Sequence, residues 1–272
     1  MNIFVLKVVV SFFVGGAFIG LLTLFAERVP LKYRGLILTM PSTLAVGLFF
    51  IGLTKSPADV SQTVIAATAS LLISSYLFVA TFAFLSHKYN FVFSLLFAFI
   101  VWSISTFLIL TFTPSTFINA LLVGIPFLFI SYLIVSKLPQ ITTITPVPFK
   151  ARHILIRSVL GGSIVVVTIL LAKILGNKWG GIFVNFPAMF STTFLIYYFT
   201  HGKQIIPSVS KSLFFPGSIT FALYGLTAGF VFPIYGIWMG TLISYLAVFI
   251  FQFLWVQFDK KLAISRNLAD KA

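Results

Sequence analysis

Apolar runs of about twenty residues follow one another almost without interruption from Ile3 to Gln257. A run of that length is what an α-helix needs to cross the hydrocarbon core of a bilayer. Water is absent there, so each run has to satisfy its backbone hydrogen bonds internally, as helix. Nine segments qualify: 3–26, 35–54, 63–86, 90–112, 115–136, 153–175, 181–200, 212–231 and 234–257. Two boundaries rest on a proline within a nearly continuous apolar stretch, at "TFTPST" (111–116) and "FVFPIYG" (230–236). Each stretch is too long for one crossing, which favours a tight hairpin over a kinked helix. Only 8% of residues are charged, against about 25% in a soluble domain, and no polar stretch leaves room for one. The first run is longer than a signal-peptide core and no small-residue cleavage pattern follows it, so a retained first span is expected.

The net charge of +14 is concentrated between the apolar runs. With alternating loops, one side receives 14 basic residues and the other only Lys7, Lys55, Lys173 and Lys178. The positive-inside rule then places the C-terminus in the cytoplasm and the N-terminus outside a multi-pass plasma (bacterial inner) membrane. Topology therefore explains the charge without nucleic acid. The absence of cysteine removes disulfides, thiol catalysis and cysteine-based metal sites.

The chain also repeats itself. "KYRGLILTMPST" (32–43) and "KWGGIFVNFPAM" (178–189) lie 146 residues apart. At that offset Gly15-Gly16 falls on Gly161-Gly162, Leu24 on Leu170, Ala26 on Ala172, Lys32 on Lys178, Gly35 on Gly181, Pro41 on Pro187 and Thr54 on Thr200, 8 identities in 40 ungapped positions. With a two-residue shift, "YLFVATFAF" (76–84) matches "YGLTAGFVF" (224–232). The expected organisation is a first four-span repeat (1–112), a linker span and cytoplasmic loop (113–152), a second four-span repeat (153–257) and a cytoplasmic tail (258–272). Four spans return the chain to its starting side and the fifth carries it across. The fold class expected is an all-α polytopic bundle of about nine spans, with two units in an inverted-topology repeat.

Short Gly/Pro-interrupted spans at matching places in two halves point to a transporter binding site. Pro41 and Pro187 each leave the carbonyl four residues back without its helical donor. Thr39, Ser42 and Thr43 surround one copy; Asn185, Ser191, Thr192 and Thr193 surround the other. The candidate substrate-binding residues are Thr39, Pro41, Ser42, Asn185, Pro187 and Thr192. The competing reading is that the prolines and glycines only shape helix packing, as small-xxx-small pairs such as Gly16/Gly20, Gly225/Gly229 and Gly236/Gly240 do. Glu27 is the one acidic residue that abuts a span core, so it is the candidate coupling carboxylate, with an interfacial pair to Arg28 as its alternative. Lys32, Arg34 and Lys178 are candidate contacts for an anion or headgroup, or else snorkelling anchors. Lys150, Arg152 and Arg157 read as orientation signals that could also meet anionic lipid. His87, His153 and His201 fall in three separate loops with no metal spacing, and no nucleophile triad, P-loop or HExxH motif is present. No catalytic residue, metal or cofactor is expected, and the protein reads as a non-enzyme.

The segment "YRGLILTMPST", with its second copy "WGGIFVNFPAM" and the preceding "LLAK" (170–173), resembles the GlpM-like family of small four-span bacterial inner-membrane proteins. That family carries an aromatic, Gly-Leu and then Phe-Pro-Thr at similar spacing. This chain departs from it by being double-length, as though two antiparallel copies had been fused through span 5. The architecture is similar to that of drug/metabolite-transporter-like proteins, and any function it implies is analogy.

The function expected is therefore a secondary carrier or flippase-like transporter for a small anionic or amphipathic metabolite. The alternatives are a non-transporting accessory protein of an envelope lipid or polysaccharide pathway and a dual-repeat ion channel. The expected partners are the lipid bilayer and a small-molecule substrate, with a homodimer compatible and nucleic acid not.

Overall fold

A computed structural model of the chain describes residues 3–28, 40–112, 114, 116–141 and 151–269; the side chains of 23, 26–28 and 258–269 lie outside that description. The described residues form helices α1 (Ile3–Arg28), α2 (Ser42–Thr54), α3 (Pro57–Lys88), α4 (Phe91–Thr111), α5 (Phe117–Ser136), α6 (Ala151–Ile174), α7 (Asn177–Phe183), α8 (Ala188–His201) and α9 (Ile206–Ala269), with a 3-10 turn at Lys203–Ile205 before the last. Local chemistry sets several starts. Ser56, Asn90 and Thr116 accept from the amides of Asp59, Phe93 and Asn119 and so cap α3, α4 and α5.

Seven helical stretches are long and apolar enough to cross a membrane, with α7 and α8 counted together, and α2 is a shorter eighth. This architecture is that of a multi-pass membrane protein. The expected count of nine differs because segments 212–231 and 234–257 form one helical element, α9. Its only departure from helical geometry is Gly236, at φ 73° and ψ 177°. The bend there is nonetheless a reversal. The Tyr224 and Tyr245 rings lie 5.0 Å apart, whereas 21 residues of straight helix would separate them by about 30 Å. Gly240 packs directly on Phe232. One left-handed glycine thus makes the whole turn, leaving no loop between the arms.

The first helices of the two repeats cross at their shared glycine pairs. A Cβ on Gly16 would lie 2.9 Å from the Ser158 carbonyl oxygen, and one on Gly162 would lie 2.6 Å from the Phe12 carbonyl oxygen. Position 158 is Phe12 plus 146 and position 162 is Gly16 plus 146. Each helix therefore touches its counterpart at the place where the counterpart touches it. As contacts on α1 rise in number, those on α6 fall, and Gly20 meets Ile154, so the two helices run antiparallel. The ends agree: the ammonium of Lys173, near the end of α6, lies 3.3 Å from the ring centroid of Phe4, near the start of α1.

A polar clasp ties the halves at that same end. Lys7 Nζ donates to the Leu53 carbonyl at 2.5 Å and Lys55 Nζ to the Ala172 carbonyl at 3.1 Å. Asn177 Nδ2 donates to Asp59 Oδ1 at 2.7 Å and to Gln62 Oε1 at 3.1 Å. Lys7, Lys55 and Lys173, from both halves, thus gather with the α7 N-terminus that carries Lys178. The core centres on α3: 89% of its most apolar stretch is buried, against 22% for α5. Ile118, Leu122 and Phe129 of α5 are accordingly exposed, which places the unrepeated span at the rim.

Candidate functional site

The repeated proline does not sit mid-helix. Pro187 (φ −78°, ψ 38°) and Pro41 (φ −77°, ψ 55°) each stand one residue before a helix. The same two main-chain bonds follow in both copies. Ser42 N donates to Met40 O at 2.7 Å and Ala188 N to Phe186 O at 2.8 Å; Ala45 N donates to Pro41 O at 2.8 Å and Ser191 N to Pro187 O at 2.9 Å. Proline fits this place because its amide would be unsatisfied anyway. The expectation of a carbonyl freed four residues back fails at Pro187: that carbonyl, Phe183 O, accepts from Phe186 N at 3.0 Å in a tightened turn. The corresponding carbonyl before Pro41 belongs to Ile37, outside the described residues.

The break between α7 and α8 docks against α3 where α3 widens into a π-helical turn, Ser70–Ser75. Such turns are frequent at functional sites. Ser70 Oγ donates to Ile182 O at 3.1 Å and Ser75 Oγ to Asn185 O at 2.9 Å. In return Asn185 Nδ2 donates to Ala67 O at 2.7 Å. Close approach is possible because Gly181 abuts the Thr63 carbonyl, with no side chain between. The amide of Asn185 is thereby fixed, and its Oδ1 is buried with no hydrogen-bond partner among the described residues.

A cavity of about 60 Å³ lies between the start of α2 and the α7–α8 break. Met40, Ser42 and Thr43 line it from one repeat and Asn185, Phe186 and Pro187 from the other. Arg157 of α6 lines it too, only 4% exposed, with Nη2 donating to Thr193 Oγ1 of α8 at 3.3 Å. Tyr76 contributes a further wall, its hydroxyl donating to Phe214 O at 3.1 Å. A larger hollow of about 330 Å³ between α3, α4 and α5 is bounded mostly by apolar residues such as Leu77, Ile104 and Phe127, and the hydroxyl of Ser105 in its wall donates back to Val101 O at 2.8 Å. The small cavity is the candidate site because it combines polar groups with burial.

Of the expected site residues, Ser42, Asn185 and Pro187 line this cavity, and Pro41 is buried beside Ser42. Thr192 is buried but does not line it. Its hydroxyl turns back to Met189 O at 3.1 Å, and Thr193 takes the lining position. Lys178 is exposed in the first turn of α7, away from the cavity. Thr39, Lys32 and Arg34 lie outside the described residues, as does the side chain of Glu27, whose backbone lies in the last turn of α1. Arg157, read from sequence as an orientation charge, is a buried cavity residue. Ser70 and Ser75 gave no sequence signal beyond being hydroxyls in an apolar run.

The sequence profile of a family described as "Protein of unknown function (DUF3147)" matches residues 8–115 and again residues 154–258. The chain belongs to the DUF3147 family. The two matches begin 146 residues apart, so this DUF3147 chain is a duplication, in the register that the identities and the paired prolines follow. No curated protein and no solved structure matches the chain. Within the DUF3147 duplication the cavity is not symmetric: Arg157 occupies the position of Ser11 in the first copy, and Thr193 that of Gly47.

Proposed function

We propose that this DUF3147 protein is a secondary carrier for a small anionic or amphipathic metabolite, working by alternating access between two inverted repeat units. The observation that carries the reading is the buried Arg157 lining a cavity between residues 40–43 and the α7–α8 break, where Asn185 and Thr193 add polar groups to a largely apolar wall. A cation in a membrane-embedded segment costs about 2.5–3.5 kcal/mol or more and marks a substrate pathway by default. The antiparallel crossing of α1 and α6, and the gathering of Lys7, Lys55 and Lys173 at one end, support the inverted topology and an external N-terminus. The similarity of architecture to drug/metabolite-transporter-like membrane proteins agrees with this reading by analogy.

The test is flux. The purified protein is reconstituted in proteoliposomes, and a panel of small organic and inorganic anions is applied by rapid solution exchange on a solid-supported membrane. A saturable, anion-dependent current or counterflow that Arg157→Gln removes supports the carrier. No flux of any anion, with folded protein in the vesicles, sinks it. A non-saturating conductance makes the protein a channel. Cysteine labelling at position 178 from the cytoplasmic side would overturn the inverted topology.

A further inference from the structure

We infer that the cavity takes a short-chain hydroxycarboxylate: a small oxyanion that also presents an O–H donor. This deepens the carrier reading and rests on the same cavity. Arg157 supplies the anion end. A guanidinium is a planar fork of donors whose geometry matches a carboxylate two bonds at a time. Asn185 supplies the other end. Its Nδ2 is anchored on Ala67 O at 2.7 Å and its own carbonyl receives Ser75 Oγ at 2.9 Å. The residue is held at both side chain and main chain. Its Oδ1 remains a buried acceptor with no partner among the described residues, and a buried acceptor calls for a donor.

Arg157 and Asn185 line the same cavity. Its volume of about 60 Å³ compares with roughly 10–15 Å³ for a single water. That suits a molecule of lactate or glycolate size. The rest of the lining is largely apolar, with Leu71, Phe190, Leu213 and Phe221, so a carbon skeleton is accommodated better than a fully hydrated inorganic ion. Among the described residues, none that lines the cavity is acidic. The ammonium of an amino acid would therefore lack a counter-charge, whereas a neutral hydroxyl needs only the Asn185 Oδ1.

The experiment is calorimetric titration of the purified full chain in detergent with L-lactate, glycolate, propionate, L-alanine and inorganic phosphate, as sodium salts at matched ionic strength. Lactate or glycolate should bind at least about tenfold tighter than propionate, which lacks the hydroxyl. Alanine and phosphate should bind more weakly than lactate. Asn185→Ala should bring lactate down to the affinity of propionate while leaving propionate binding intact, so that the variant reports its own fold. Arg157→Lys should weaken both acids together. Equal binding of lactate and propionate, tighter binding of alanine or phosphate, or no carboxylate binding overturns the inference. Hydroxycarboxylate binding without flux in proteoliposomes retains the site and removes the carrier. Flux of a different anion without this binding does the reverse.

Discussion

Ser75 and Asn185 are joined by a hydrogen bond of 2.9 Å, from the hydroxyl of a π-helical turn in one repeat to the main-chain carbonyl at the helix break of the other. Both residues are buried. The site is therefore built across the duplication, with the break of the second copy held by the first. Replacing Ser75 by alanine leaves a buried carbonyl unsatisfied, at a cost of about 1–3 kcal/mol. Thermal unfolding in detergent should fall by several degrees, roughly 2–4 °C per kcal/mol for a chain of this size. An unchanged midpoint would show that the break is held elsewhere.

The reciprocal contacts of Gly16 and Gly162 make a paired prediction. Gly16→Val and Gly162→Val each drive a side chain into the carbonyl of the facing helix. Overpacking of this kind costs about 1–3 kcal/mol. The two variants should lose stability by similar amounts, measured as the fraction that stays monodisperse after heating. A loss confined to one of them would contradict the reciprocal crossing.

Gly236→Ala isolates backbone strain. A Cβ there meets nothing within 4 Å, yet φ is +73°. The cost is conformational alone, about 1–3 kcal/mol, since φ 73° with ψ 177° is a region essentially reserved for glycine. Gly240→Ala should cost more, because its Cβ runs into Phe232. The order of the two midpoints checks the tight reversal between the arms of α9.

Two cations should separate in transport. Arg157→Gln should lower anion flux by about tenfold or more, since a buried charge in the cavity is lost. Lys178→Gln, at an exposed position, should leave it nearly unchanged. Counterflow in proteoliposomes with internal and external substrate at equal pH reads both.

The duplication was legible because glycine and proline keep their places when apolar side chains drift. Gly16, Gly35 and Pro41 have counterparts that meet main chain or stand just before a helix, where few other residues fit. Asn185 was legible as a polar amide inside an apolar run. Arg157 was not. It stands six residues into α6, close to Lys150 and Arg152 in sequence, and only the approach of Thr193 on a different helix separates it from the loop charges. The π turn at Ser70–Ser75 was equally hidden, since its serines look like any hydroxyls that bond back within an apolar helix. Likewise, nothing in "FVFPIYG" says that Gly236, rather than Pro233, turns the chain.

The crossing of α1 with α6 also sets an order of events during biosynthesis. The glycine face of α1 is made first, and its mate is about 146 residues away along the chain. At ribosomal rates of about 5–20 residues per second, α1 waits roughly 7–30 s before Gly162 is polymerised. During that interval its small-residue groove is open to lipid and to any other nascent helix nearby. The first copy is therefore complete in sequence before the helix that closes its glycine face exists.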